Sequence, residues 1–291
     1  MMHDDEVETD GELVRRLLAS QHPQWADLPI ERVRSAGTDN AMYRLGDELA
    51  VRLPRIHWAV DNIAKERKWL PILAPHLPLA VPLPIATGDP EEDFPYPWSV
   101  VRWLPGELAT VDRLGDPVPA ARDLAAFVRA LQAVDPTGGP EHDRGSPVRL
   151  QEEEVRQGVA GLRGEVDGEA VLDAWDRVME TPDYHGPPVW FHGDLGYLNL
   201  LAQGGTLSGV IDWGTCGVGD PASETIVAWS LFPPDARDAY RDALMIDDAT
   251  WERGKGWVLT GVFGIPYYRD TNPLLVADKI AAIEAVLASS N

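Results

Sequence analysis

The hydrophobic rhythm of this chain changes once, at Pro105-Gly106, and that change sets what it can fold into. Before it, apolar residues fall mainly into short strand-like runs; after it, they recur mainly at helical spacing. Strands gathered first and helices gathered later describe an α+β chain in two parts, expected here as residues 1–104 and 105–291. A length of 291 residues permits two lobes without requiring them.

Within the first part, Leu13, Val14, Leu17 and Leu18 repeat at helical spacing over residues 9–20, with Thr9 or Asp10 available as the N-cap. Ile30 to Arg34, Ala41 to Leu45 and Leu49 to Leu53 read as three antiparallel strands, the last two joined by a Gly46-Asp47 turn. A helix over Trp58 to Leu73 follows, which Pro71 should kink or end, and then strands around Val81 to Ala86 and Trp98 to Leu104. In the second part, Ala120 to Val134 puts Leu124, Phe127, Val128 and Leu131 on one helix face. Asp135 to Pro147 reads as a loop, and Gln151 to Gly158 and Glu169 to Met179 as helices. Short apolar runs, Val189 to His192 and Thr206 to Asp212, precede four further helical stretches.

The apolar share of 44% supports a sizeable core, and a formal charge of -22 repels phosphate backbones and anionic lipid heads. Neither nucleic acid nor a membrane surface is an expected partner; cations are the easier ones. A single cysteine, Cys216, and no zinc-like spacing of Cys or His point to a reducing interior without a structural metal. The acidic first residues and the lack of a long uninterrupted apolar run make the cytoplasm the expected location.

One segment concentrates chemistry. His192-Gly193-Asp194-Leu195-Gly196-Tyr197-Leu198-Asn199 lies between the apolar runs Val189-Trp190-Phe191 and Leu200-Leu201, a poor composition for core. The run Leu207 to Ile211 then delivers Asp212. Phosphoryl transfer needs a group to orient the acceptor hydroxyl and oxygen ligands for magnesium. Asp194, Asn199 and Asp212 supply that set, and one Asn plus one Asp suits a magnesium ion completed by water and nucleotide oxygens. His192, beside a strand end, is better suited to holding the loop than to catalysis.

The order HGDLGYLN, IDWG, GDPASE resembles the catalytic core of the aminoglycoside phosphotransferases, which are similar to protein kinases. The resemblance implies a bilobal protein-kinase-like fold, with a small antiparallel sheet lobe followed by a larger, mainly helical lobe. It implies Asp194 as catalytic base or acceptor orienter, Asn199 and Asp212 as magnesium ligands, and ATP or GTP as co-substrate. Gly193 stands where protein kinases carry the Arg of H-R-D, no A-P-E segment follows, and a small-molecule acceptor is therefore the better expectation.

On the nucleotide side, the resemblance places Ser35 and Thr38 in a turn over the phosphates. Arg52 takes the place of the usual strand lysine, paired with Glu66, and the Arg102 carbonyl and Leu104 amide read the base. No Walker A sequence occurs; Gly254-Lys255-Gly256 lacks its hydroxyl residue. On the acceptor side it brings Asp220 and Glu224, the helix carrying Glu153, and Tyr267 toward the pocket, an acidic and aromatic wall suited to an amino sugar. Asp220 serves equally as a helix cap, and Glu152 to Glu154 as a solvated helix face. The expected activity is phosphorylation of a hydroxyl on an aminoglycoside-type antibiotic. A macrolide or amino-alcohol kinase and an inactive nucleotide-binding pseudokinase are the alternatives.

Overall fold

The computed structural model describes residues 7–33 and 39–289, apart from the side chain of Trp58. Two compact units emerge: one holds the described residues up to Pro75 together with Ala80–Pro105, the other His76–Leu79 with the described residues from Gly106 onward.

The first unit begins with α1 (Gly11–Gln21), whose N-cap is Asp10, accepting from the Leu13 amide at 2.7 Å. Five strands follow in one antiparallel sheet: β1 (Ile30–Arg32), β2 (Asn40–Leu45), β3 (Leu49–Pro54), β4 (Pro84–Gly88) and β5 (Trp98–Arg102), in the order β1-β2-β3-β5-β4. β2 alternates, with Ala41, Tyr43 and Leu45 buried, as a strand with one covered face must. β3 is central and buried from Ala50 to Pro54. Leu13, Val14, Leu17 and Leu18 of α1 pack on these strands with Phe94 and Trp98 to make the core.

Three sequence expectations change here. Helix α2 (Val60–Leu73) continues two residues past Pro71; the proline removes the N–H that would reach the Arg67 carbonyl, but Leu70 and Leu73 on either side are anchored in the interior. β4 starts at Pro84, not Val81: Pro82 has no amide and that of Leu83 donates to the Val81 carbonyl at 2.9 Å. β1 ends at Arg32, although the Val33 amide still donates to the Met42 carbonyl at 2.9 Å; Arg34, the last residue of the expected span, lies outside the described residues with Ser35 and Thr38.

The second unit opens with β6 (Glu107–Leu108) and α3 (Pro117–Gln132), the latter capped by Asp116. Then come α4 (Glu152–Ala160), α5 (Gly168–Glu180), β7 (Val189–Phe191), β8 (Leu200–Gln203), β9 (Thr206–Val210) and β10 (Gly217–Gly219). β6, β8 and β9 form one antiparallel sheet, and β7 pairs with β10. Among the described residues five helices close the chain, one more than expected: α6 (Val227–Ser230), α7 (Pro234–Leu244), α8 (Asp248–Leu259), α9 (Gly264–Tyr268) and α10 (Pro273–Ser289). The glycines of α8 are packing residues: a Cβ on Gly254 would stand 1.7 Å from the Thr225 hydroxyl. No helix among the described residues is long and apolar enough to cross a membrane.

Gly88 tests the first core. A Cβ there would lie 2.0 Å from the fully buried Trp98 ring. Gly88→Ala should cost about 1–3 kcal/mol through overpacking, read as a thermal midpoint lowered by several degrees; an unchanged midpoint would show that the ring moves aside freely.

Candidate active site

β7 stops at Phe191 because His192 turns the chain away, and the loop to β8 is held from three sides. His192, fully buried, places Nε2 3.0 Å from the Ile211 carbonyl and Nδ1 3.3 Å from the Asp194 amide. The two contacts fit one neutral tautomer, with Nε2–H donating and Nδ1 accepting. Burial pushes its pKa down, outweighing the opposing pull of Asp194, the Ile211 carbonyl and Asp212. The ring also meets Trp213 edge-on at 4.9 Å, and the Thr215 hydroxyl donates to the His192 carbonyl at 2.8 Å. With both ring nitrogens engaged, His192 holds the loop.

Gly193 has φ +85, and a Cβ would lie 3.0 Å from the Thr215 carbonyl oxygen and 3.1 Å from Cβ of Arg144. Sterics thus explain why no arginine stands there. Its amide donates to Glu224 at 2.8 Å.

Asp194 is half-buried at the bend. The Asn199 amide nitrogen donates to its carbonyl at 2.8 Å and to its carboxylate at 2.9 Å. Asn199 thereby fixes the direction of the Asp194 carboxylate. Because the amide nitrogen is committed inward, the Asn199 side-chain oxygen is the atom left for a cation. The Asn199 carbonyl in turn accepts from the Ile211 amide at 2.9 Å, which joins this loop to the one bearing Asp212. β9 ends at Val210, two residues before Asp212, which adopts a left-handed conformation at φ 60, ψ 74 and is exposed. Such a backbone is uncommon outside glycine and costs about 1–3 kcal/mol. Anchors on both sides impose it: Ile211 on Asn199, and the Trp213 indole on the Val210 carbonyl at 3.1 Å.

Among the described residues no three of His, Cys, Asp and Glu cluster to hold a metal by themselves. The Asp212 carboxylate and the Asn199 amide oxygen, on joined loops, suit magnesium, which keeps water and phosphate oxygens in its shell, better than a metal caged by protein.

In the first unit, Arg52 on β3 and Glu66 on α2 form an ion pair at 2.5 Å, 7% and 4% exposed. Arg102 ends β5, with its amide bonded to the Leu83 carbonyl at 2.8 Å. Leu83 does not close the pair, since its own amide donates to Val81, so the Arg102 carbonyl lies outside the sheet ladder. Leu104 follows two residues later, largely buried.

Two acceptor-side expectations are overturned. Asp220, 3% exposed, caps Ala222 at 3.0 Å and receives Arg253 at 2.7 and 3.3 Å, so it is an internal cap and ion pair with no face for a substrate. Glu224, 1% exposed, lies beneath Gly193, while its carbonyl accepts from the Tyr240 hydroxyl at 2.8 Å. It carries the loop. The Pro221–Thr225 segment is a 3-10 turn that buries both carboxylates. Glu153 is exposed and accepts from Gln157 one turn on at 2.7 Å; Tyr267 is exposed, edge-on to Tyr268 at 4.7 Å.

Sequence reasoning passed over the group that does approach Asp194. Asp278 and Lys279 of α10 both feel its charge, and Tyr197 feels that of Asp278. Burial pushes Asp278 up to about 6, opposed by Lys279 and reinforced by Asp194. The legible signal was an Asp-Lys pair inside the mainly apolar stretch Pro273 to Ser289.

Residues 31–257 match the phosphotransferase enzyme family. The viomycin phosphotransferase of Streptomyces vinaceus is 25% identical over 236 residues, 75% of this chain and 77% of that one. The GDP complex of wild-type aminoglycoside 2'-phosphotransferase-IIIa matches with a TM-score of 0.78 at 18% identity, covering 97% of this chain and 100% of the other. A macrolide 2'-phosphotransferase from Brachybacterium faecium matches with a TM-score of 0.61 at 22% identity, covering 94% and 98%. At these identities the solved structures speak for the kinase-like fold alone.

Glu224 yields a test of the loop's support. Burial raises its pKa to about 7, against the Gly193 N–H bond, which favours the anion. The folded state then binds the proton more tightly than the unfolded chain, so stability falls as pH rises from about 5 through 7. Glu224→Gln keeps an oxygen for Gly193 and removes this ionisation. Its thermal midpoint should therefore gain on the wild type steadily across that window; a constant offset between the two would refute the assignment.

Proposed function

The chain belongs to the phosphotransferase enzyme family, and from that premise we propose that it transfers the γ-phosphoryl group of ATP or GTP to a hydroxyl of a small cationic antibiotic of the aminoglycoside type. The observation that carries this is the Asn199 clamp on Asp194, which aims a half-buried carboxylate while leaving an amide oxygen beside the loop of Asp212. Asp194 takes the acceptor hydroxyl's proton as its oxygen bonds to the γ-phosphorus. The bond from phosphorus to the bridging oxygen breaks, and a nucleoside diphosphate leaves. Asn199 and Asp212 would hold magnesium, which supplies charge neutralisation for the phosphates.

Arg52, fixed by Glu66, supports the reading as a phosphate-binding cation; Arg binds phosphate oxygens bidentately. The Arg102 carbonyl and the Leu104 amide suit the edge of a purine, and the GDP carried by the first structural neighbour agrees with a purine nucleotide. A charge of -22 and the antibiotic-modifying relatives favour a cationic acceptor, with Glu153 and Tyr267 as outlying contacts. Residues 1–104 and 105–291 then act as the nucleotide and acceptor lobes of a cytoplasmic enzyme.

Incubation with magnesium and ATP or GTP, against viomycin, an aminoglycoside panel and a macrolide panel, should give a product 80 Da heavier by mass spectrometry, about the mass of one phosphoryl group. Asp194→Asn should lower kcat by about 10²–10⁴-fold with nucleotide affinity retained, whereas Asp212→Asn should weaken magnesium-dependent nucleotide binding. Absence of both product and magnesium-dependent nucleotide binding would sink the proposal; binding without product would favour an inactive nucleotide-binding pseudokinase.

A further inference from the structure

Between His192 and Asn199 there is no lysine or arginine, although phosphoryl transfer concentrates negative charge on three oxygens beside the acceptor-orienting carboxylate. A cation brought there from elsewhere would answer that need. α10 packs against α6, and Ser230 at the end of α6 stands against Gly196 of the loop, its hydroxyl 3.4 Å from where a Cβ would sit. On α10, Asp278 and Lys279 interrupt a mainly apolar run.

The Lys279 side chain has a built path. Its stem lies over the backbone of Gly261 and Gly264: a Cβ at 261 would be 3.7 Å from Cγ, and one at 264 would be 2.8 Å from Cε and 3.6 Å from Nζ. A side chain at 264 would crowd the end of the lysine, and glycine admits it; one at 261 would make only ordinary contact with its stem. Lys279 is half-buried, and among the described residues its ammonium has no hydrogen-bond or ion-pair partner within 4 Å. Burying an ammonium without a partner is costly, which suits a group held for a ligand. Arg144, the other cation near it, has its guanidinium on the face of Trp257 at 5.2 Å.

We propose that Lys279 is a catalytic cation that donates hydrogen bonds to the non-bridging oxygens of the phosphoryl group as it passes to the acceptor held by Asp194. The inference rests on the phosphotransferase reading of Asp194. Lys279 keeps its proton throughout; the acceptor's proton goes to Asp194, the new oxygen–phosphorus bond forms, the bond to the bridging oxygen breaks, and the nucleoside diphosphate departs. Desolvation draws the lysine's pKa down, while the charges of Asp194 and Asp278 work to keep it protonated.

The full chain with magnesium and nucleotide is assayed on whichever acceptor gives product, or on water, as phosphate release, where none does. Lys279→Met should lower kcat about 100-fold, with acceptor KM, nucleotide affinity and thermal midpoint little changed, and Lys279→Arg should restore much of the loss. Gly264→Ala, whose methyl displaces the flexible end of the lysine, should lower kcat in the wild type and have no further effect on Lys279→Met. This second variant serves if the first fails to fold. The inference is overturned if Lys279→Met keeps kcat within about threefold, or if the loss is confined to acceptor KM, which would make Lys279 an acceptor contact. A wild-type chain with neither product nor phosphate release overturns the phosphotransferase reading itself, and this inference with it. A chain that Asp194→Asn inactivates and Lys279→Met does not overturns the inference alone.

Discussion

The bond from the Gly193 amide to the buried Glu224 carboxylate is the contact on which the site depends. A loop of eight mainly polar or small residues must leave β7 and re-enter β8 with its functional side chains outward, and it can do so only if its backbone is satisfied from beneath. Glu224 provides that support from the Pro221–Thr225 turn, which Asp220 caps and Arg253 ties to α8. Tyr240 of α7 holds the carbonyl of the same glutamate. A single glutamate, through its carboxylate and its backbone, thereby links the loop to a capped turn, an ion pair and two helices.

Above that support, the polar atoms are shared out with little redundancy. His192 spends both ring nitrogens on backbone, and the Asn199 amide nitrogen spends its hydrogens on Asp194. The Asn199 carbonyl receives Ile211, which ties the two loops together. The left-handed backbone at Asp212 is maintained by the same ties. Rigidity of this kind suits a reaction in which positioning and charge neutralisation do most of the work.

Much of the architecture was legible because its determinants are local. The alternation in β2, the helical spacing of Leu13, Val14, Leu17 and Leu18, and the cap at Asp10 each depend on residues a few positions apart. The misreadings fell where local rules compete with packing. Pro71 is a helix breaker in isolation, yet anchored neighbours carry α2 past it. Val81 has strand character, yet the two prolines that follow delay β4. Asp220 and Glu224 looked like acidic groups available to a cationic ligand, because nothing in a one-dimensional pattern tells an exposed carboxylate from one buried against Arg253 or a loop amide.

The sequence by itself determined the two-part α+β plan and, from residue type and spacing, Asp194, Asn199 and Asp212 as the groups to watch; the family resemblance added Arg52 and Glu66. Only the tertiary structure decided which carboxylates face inward and that Glu224 carries the loop. It alone brought Asp278 and Lys279, more than eighty positions beyond Asp194, within reach of its charge. The physical reason is that burial and long-range electrostatics are properties of the packed chain: a lysine whose end lies against Gly264 is an unremarked residue in the sequence and a placed cation in the fold.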